Sequence, residues 1–215
     1  MRLPSAAARD AYLRDWSAKA LYEGSEHFLN LSSRELFRQE APLEVELGPG
    51  TGEFLCALAE ANPQINFLGI EASRRAAYHA VGLAEAQGLG NILFVRADIK
   101  LLYPMIPPKS WNKVYLHFPD PVHRRKDERL RIFDEEFLDV MAKCLQPHGE
   151  ISVVSDKDDF FLEMLDQVER DGRFGKVHPE RYLAGFQPPV KSRFQQAWER
   201  KGIVPKRFIV SKIEA

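Results

Sequence analysis

Four carboxylates and a glycine-rich turn are the residues of this sequence whose types and spacing could do chemistry. The run Glu46-Leu47-Gly48-Pro49-Gly50-Thr51-Gly52 joins a short β-rich segment to an amphipathic one. Glycines at such a junction adopt backbone torsions that other residues resist and let a ligand come close to the main chain. The spacing is not the dinucleotide fingerprint, whose third glycine falls one residue later, and Glu53 stands where a phosphate loop needs lysine. A carboxylate there disfavours a phosphate and suits a ligand that carries positive charge. Glu71, nineteen positions after Gly52, closes a second apolar run, where a carboxylate can accept from a ribose diol. Asp98 follows a third such run. Asp120 stands between Pro119 and Pro121, which stiffen the backbone on both sides of it. Val122-His123-Arg124-Arg125-Lys126 then brings cations suited to a phosphate backbone. Taken singly, these are also a βα turn, a charge at a helix N-terminus, a cap residue and a solvated basic run. Their recurrence after successive strands points to a ligand.

The elements that must position them follow a rhythm. LEVEL (43–47), INFLGI (65–70), NILFV (91–95), KVYLHF (113–118) and EISVVS (150–155) read as strands, and KRFIVSKI (206–213) as a further one. Helices are expected between them: one after Gly52 that stops at Pro63, one from the Ser73 cap to Gly88, one around Phe133–Leu145, and one over Asp158–Arg170. Near-continuous apolar strands alternating with such helices imply an α/β fold with a parallel sheet covered on both faces. Right-handed crossovers then gather the strand C-terminal ends, and with them all four carboxylates, on one rim. Residues 1–40 read as a helical extension before a single domain over 41–215.

Length and composition bound the alternatives. The 215 residues are 45% hydrophobic and 28% charged, a balance that excludes wholesale disorder and fibrous repeats. Cys56 and Cys144 lie in apolar helical patterns and suit a reducing, cytoplasmic compartment rather than a disulfide framework. No metal-ligand spacing, signal sequence or long apolar run is present, so neither a metal nor a membrane partner is expected. The net charge of −1 hides a segregated distribution. Residues 124–131 carry five basic and two acidic groups, residues 181–215 eight and two, and the stretch between them, 132–172, twelve acidic against three basic. The two positive blocks could meet in space as a nucleic-acid surface.

A glycine turn followed by acids after strands one, two and three matches the S-adenosylmethionine pocket of class I methyltransferases, a Rossmann-like fold with a mostly parallel, seven-stranded sheet. More specifically, Glu-Leu-Gly-Pro-Gly-Thr-Gly-Glu-Phe, Phe-Leu-Gly-Ile-Glu, the Asp98 turn, Phe-Pro-Asp-Pro with its basic tail, and Ser155-Asp156-Lys157-Asp158 resemble the bacterial tRNA (guanine-N7)-methyltransferase family of the TrmB type. The likeness runs in order from about Leu43 to Gly202.

That resemblance implies methyl transfer from S-adenosylmethionine to N7 of the variable-loop guanine 46 of tRNA, by a monomer or homodimer. It implies donor contacts at Glu46, Gly48, Gly50, Gly52, Glu71, Asp98 and Asp120, with Asp120 also catalytic. It places RNA contacts on Arg124 and Asp156, and on Ser192-Arg193-Phe194-Gln195, where the family carries Thr-Lys-Phe-Glu; the basic run itself adds Arg125 and Lys126 as phosphate contacts. Val122 stands where the family usually has tryptophan, and Gln195 where it has glutamate. Two alternatives stay open on the residues: a class I methyltransferase for another RNA or a small molecule, and an RNA-binding member without catalysis.

Overall fold

The computed structural model describes residues 4–16, 18–24, 28–120, 131–188, 190–191 and 193–213. The central strands are β2 (Leu43–Leu47), β3 (Asn66–Ile70), β4 (Ile92–Arg96), β5 (Trp111–His117) and β6 (Leu145–Ser155). They pair in parallel in the spatial order β4-β3-β2-β5-β6. β9 (Lys206–Lys212) joins β6 antiparallel, and β7 (Phe174–Lys176) pairs antiparallel with β9. Six of these are the strands expected from the apolar runs; β7 is not among them, and it brings the count to the seven that the resemblance implies. Two short ones extend the sheet to nine among the described residues: β1 (Leu13–Asp15) beside β4 and β8 (Leu183–Ala184) beside β9.

The chain order reverses between β2 and β5, which opens a crevice beyond their carboxyl ends, the place where sheets of this topology bind ligands. α4 (Glu53–Ala61) and α5 (Arg74–Gln87) cover one face. Phe54, Leu55, Ala77, Val81 and the strand residues Phe67 and Phe94 form that layer of the core. α7 (Glu135–Cys144) and α8 (Asp158–Arg170) cover the other face, with Phe137, Met141, Phe161 and Leu165 against Val114, Val153 and Phe208. Local signals set the helix ends. Ser73 caps α5 through its hydroxyl on the Ala76 N–H, and Gly88 ends it in a left-handed conformation. Asp134 caps α7 by accepting from the Phe137 N–H at 2.8 Å.

The first 40 residues are less uniformly helical than their pattern suggests. α1 (Ala6–Tyr12), α2 (Ala18–Gly24) and α3 (Ser33–Phe37) are present, but Leu13–Asp15 runs as an edge strand with Leu13 opposite Phe94. Burial of Leu13 and Trp16, together with an Asp15–Arg96 ion pair at 2.6 Å, draws this segment onto the sheet. A tertiary contact overrides a local helical pattern. β6 also begins earlier than its apolar run, at Leu145, with a register irregularity opposite Trp111 and Lys113.

Candidate active site

The turn after β2 holds three glycines at positive φ: Gly48 at +74°, Gly50 at +56° and Gly52 at +82°. Gly52 is needed for close packing as well as for its torsion, because a Cβ there would lie 2.7 Å from the Ala80 Cβ of α5. A Cβ on Gly48 or Gly50 would meet nothing within 4 Å. That part of the main chain faces open space, as a ligand cradle requires.

Three carboxylates surround this turn. Glu71 accepts from the Gly50 N–H at 3.0 Å and from the Ser73 N–H at 2.7 Å, and so ties the turn to the start of α5. Glu53 accepts from the Thr51 hydroxyl at 2.5 Å. Glu46, on β2, is buried, and its Oε2 has no hydrogen-bond partner among the described residues. Burial, then the charges of Glu71 and Glu53, push its carboxyl up from 4.5 to about 8. A buried polar atom without a partner is uncommon in folded proteins and marks a place where something outside the chain completes the set. The chemistry of the set calls for a cation or a neutral hydrogen-bond donor.

The other expected residues lie along the same rim or close to it. Asp98 is exposed and caps the short helix α6 (Ile99–Leu102) by accepting from the Lys100 N–H at 3.0 Å. Asp120, also exposed, follows β5, and Asp156 follows β6, which is paired to β5. The Phe118 N–H reaches the Val154 carbonyl at 2.7 Å, so the pairing of these strands continues up to the rim. The Asp156 side chain is only 9% exposed, with Lys157 Nζ 3.4 Å from its Oδ2. The rim therefore gathers Glu46, Gly48, Gly50, Gly52 and Glu71 at its centre. Asp98 lies one strand further out on one side, and Asp120 and Asp156 lie on the other.

Gln195 is buried on α9 (Arg193–Arg200), where its amide donates to Glu199 at 3.1 Å. Arg124, Arg125, Lys126 and Ser192 lie outside the described residues, and Arg193 and Phe194 are described only as the backbone of the first turn of α9.

Comparison with known proteins identifies the family and the fold. Residues 40–207 match the family described as "Putative methyltransferase". A tRNA (guanine-N(7)-)-methyltransferase of Rubrobacter xylanophilus is 42% identical over 208 residues, spanning 97% of this chain and 93% of that protein. One from Chloroherpeton thalassium is 38% identical over 201 residues, spanning 94% and 89%. The chain belongs to the tRNA (guanine-N7-)-methyltransferase family. The crystal structure of the 16S rRNA methyltransferase KamB superposes with a TM-score of 0.60 at 14% identity, covering 94% of this chain and 96% of that one. An antibiotic-related methyltransferase gives 0.58 at 18% identity, covering 86% and 95%. Both likenesses are of fold, and the fold is that of the class I methyltransferases.

This methyltransferase also has a polar layer that the sequence reading passed over. β5 reads as an apolar run, yet Lys113, Tyr115 and His117 alternate onto one sheet face. The Tyr115 hydroxyl donates to Glu44 at 2.6 Å, and Lys113 pairs with Glu150 at 2.6 Å. His117 is pushed down to about 3, first by burial and then by the charges of Arg207 and Lys113, so its ring is neutral. Burial likewise raises Glu44 and Tyr115. The signal was available: a strand buried between two helix layers has no reason to place polar groups at every second position.

Proposed function

We propose that this chain is a cytoplasmic enzyme that transfers a methyl group from S-adenosylmethionine to N7 of guanine 46 in the variable loop of tRNA. The observation that carries this reading is the near-full-length likeness to tRNA (guanine-N7-)-methyltransferases, in a chain whose glycine turn is ringed by carboxylates.

The residues present fit the donor. S-adenosylmethionine supplies a methyl group on a positively charged sulfur. Gly48 and Gly50 leave the main chain open to it, and Glu46 offers an unfilled acceptor oxygen in a cluster of negative charge. Glu71 keeps lone pairs beyond its two backbone contacts, enough to accept from ribose hydroxyls. Asp98 would accept from the adenine amine.

Guanine N7 carries a free lone pair on the major-groove edge, so the attack needs no general base. The protein's task is placement, for which orientation supplies about 7–11 kcal/mol. Asp120 and Asp156, on adjacent strand ends, would accept from the guanine N1–H and exocyclic amine. Positive charge builds on the purine as the methyl arrives, and a carboxylate beside it stabilises that charge. Arg124, Arg125, Lys126 and Arg193 would hold phosphates, with Ser192, Phe194 and Gln195 completing the RNA contact. The test is incubation of the purified protein with labelled donor and unfractionated tRNA, followed by mapping of the label to position. Label at guanine 46 supports the reading, and label at another position or on no RNA refutes it.

A further inference from the structure

The polar layer on β5 opens into a cavity of ≈ 250 Å³ between α4 and the segment around Phe186 and Gln195. This is below the range of about 300–1,000 Å³ usual for whole small-molecule ligands, and it suits a fragment such as one base. Its upper end adjoins the reacting rim: Phe54 comes two residues after Gly52, and His117 three before Asp120.

The charges on the lining are cationic and unequal in their partners. Lys113 is matched by Glu150 at 2.6 Å. Arg207, on β9, donates from Nε to the Ser152 hydroxyl at 3.3 Å, and its Cζ lies 5.3 Å from the centroid of the Phe186 ring. Among the described residues its guanidinium has no carboxylate partner, and Glu150 acts on it only at longer range. A partly desolvated cation of this kind is costly unless an anion completes it. The planar guanidinium fits a phosphate with two hydrogen bonds, and an aromatic ring beneath it holds the plane. The methyl donor is the wrong occupant, because its sulfonium would meet Lys113 and Arg207.

We infer that Arg207 is an acceptor-binding residue that receives an RNA phosphate beside the methylated nucleotide, with a neighbouring base in the cavity against Phe54. The inference rests on the RNA acceptor of the reading above. Half-buried Phe186 gives the base an apolar ring face, which accepts any base. Phe54, its ring centroid 5.3 Å from that of Tyr115 and 4.6 Å from that of His117, forms the apolar back wall. The covalent chain of the RNA explains why this subsite joins the rim where the methyl is transferred.

The experiment measures binding of donor-free protein to unfractionated tRNA by fluorescence anisotropy from 50 to 200 mM KCl. Arg207→Gln should weaken binding about tenfold. It should also lower the slope of log Kd against log salt by about 0.7–0.9, the signature of one lost phosphate. Arg207→Lys should restore the slope but only part of the affinity. Phe186→Ala should weaken binding with the slope unchanged, and as a half-buried loop variant it keeps the test open if the strand variants lose donor binding by calorimetry. A wild-type Kd and slope in Arg207→Gln would overturn the inference, as would weaker binding at an unchanged slope, which marks a merely structural role. Wild-type protein that binds no tRNA would remove the RNA reading itself; wild-type binding with an indifferent Arg207 removes this inference alone.

Discussion

Replacing Glu46 by glutamine tests the charge balance of the donor site most sharply. The carboxyl is fully buried beside Glu71 and Glu53, and is raised from 4.5 to about 8. At about 1.4 kcal/mol per pH unit, that interval corresponds to roughly 5 kcal/mol against ionising Glu46 in the donor-free fold. The sign follows from proton counting. Between pH 4.5 and about 8 the folded protein holds a proton that the unfolded chain has released, so stability falls as pH rises. The full contribution is present below pH 4.5, and it is lost as pH climbs through about 8. Urea unfolding at pH 6, 7, 8 and 9 should show this decline in the wild type and a clearly flatter profile in Glu46→Gln. A cationic donor favours the ionised form, so its binding near pH 7 should expel close to one proton. Calorimetry in buffers of different ionisation enthalpy should detect that proton in the wild type and lose it in Glu46→Gln. Identical pH profiles and identical proton release in the two proteins would refute the reasoning.

Three other outcomes are expected. Asp120→Ala, at an exposed rim position, should leave the melting temperature unchanged and lower tRNA methylation about 10²–10³-fold; near-normal turnover would take Asp120 out of the mechanism. Binding of wild-type protein to tRNA should weaken at least roughly tenfold between 50 and 200 mM salt, and a flat response would contradict phosphate contacts. Gly52→Ala should destabilise by about 1–3 kcal/mol, because φ is +82° and the new Cβ would meet Ala80 at 2.7 Å; an unchanged unfolding midpoint would show that the turn can yield.

Much of the scaffold can be read from the chain because its signals are local. Apolar runs set β2, β3 and β4 almost to the residue, and Ser73 and Gly88 mark both ends of α5. β1 is different: three residues in a helical-looking stretch become a strand only because β4 offers an edge and Arg96 a partner for Asp15. β7 and β8, of three and two residues, are too short to carry a period and depend on β9. The carboxylates could be assigned to one rim from topology, but their individual states could not. Nothing in LEVEL distinguishes Glu44, which finds the Tyr115 hydroxyl, from Glu46, which keeps an oxygen unpartnered among the described residues; the neighbours on β5 and the glycine turn decide that. The cavity beneath the rim needs β5, β9 and the Phe186 segment together, and these are far apart in sequence.

The most direct measurement is mass analysis of nucleosides from tRNA treated with the purified protein and S-adenosylmethionine. The account predicts new 7-methylguanosine, made by the wild type and nearly absent with Asp120→Ala. A different methylated nucleoside, or no methylated nucleoside from protein that binds the donor, would contradict it.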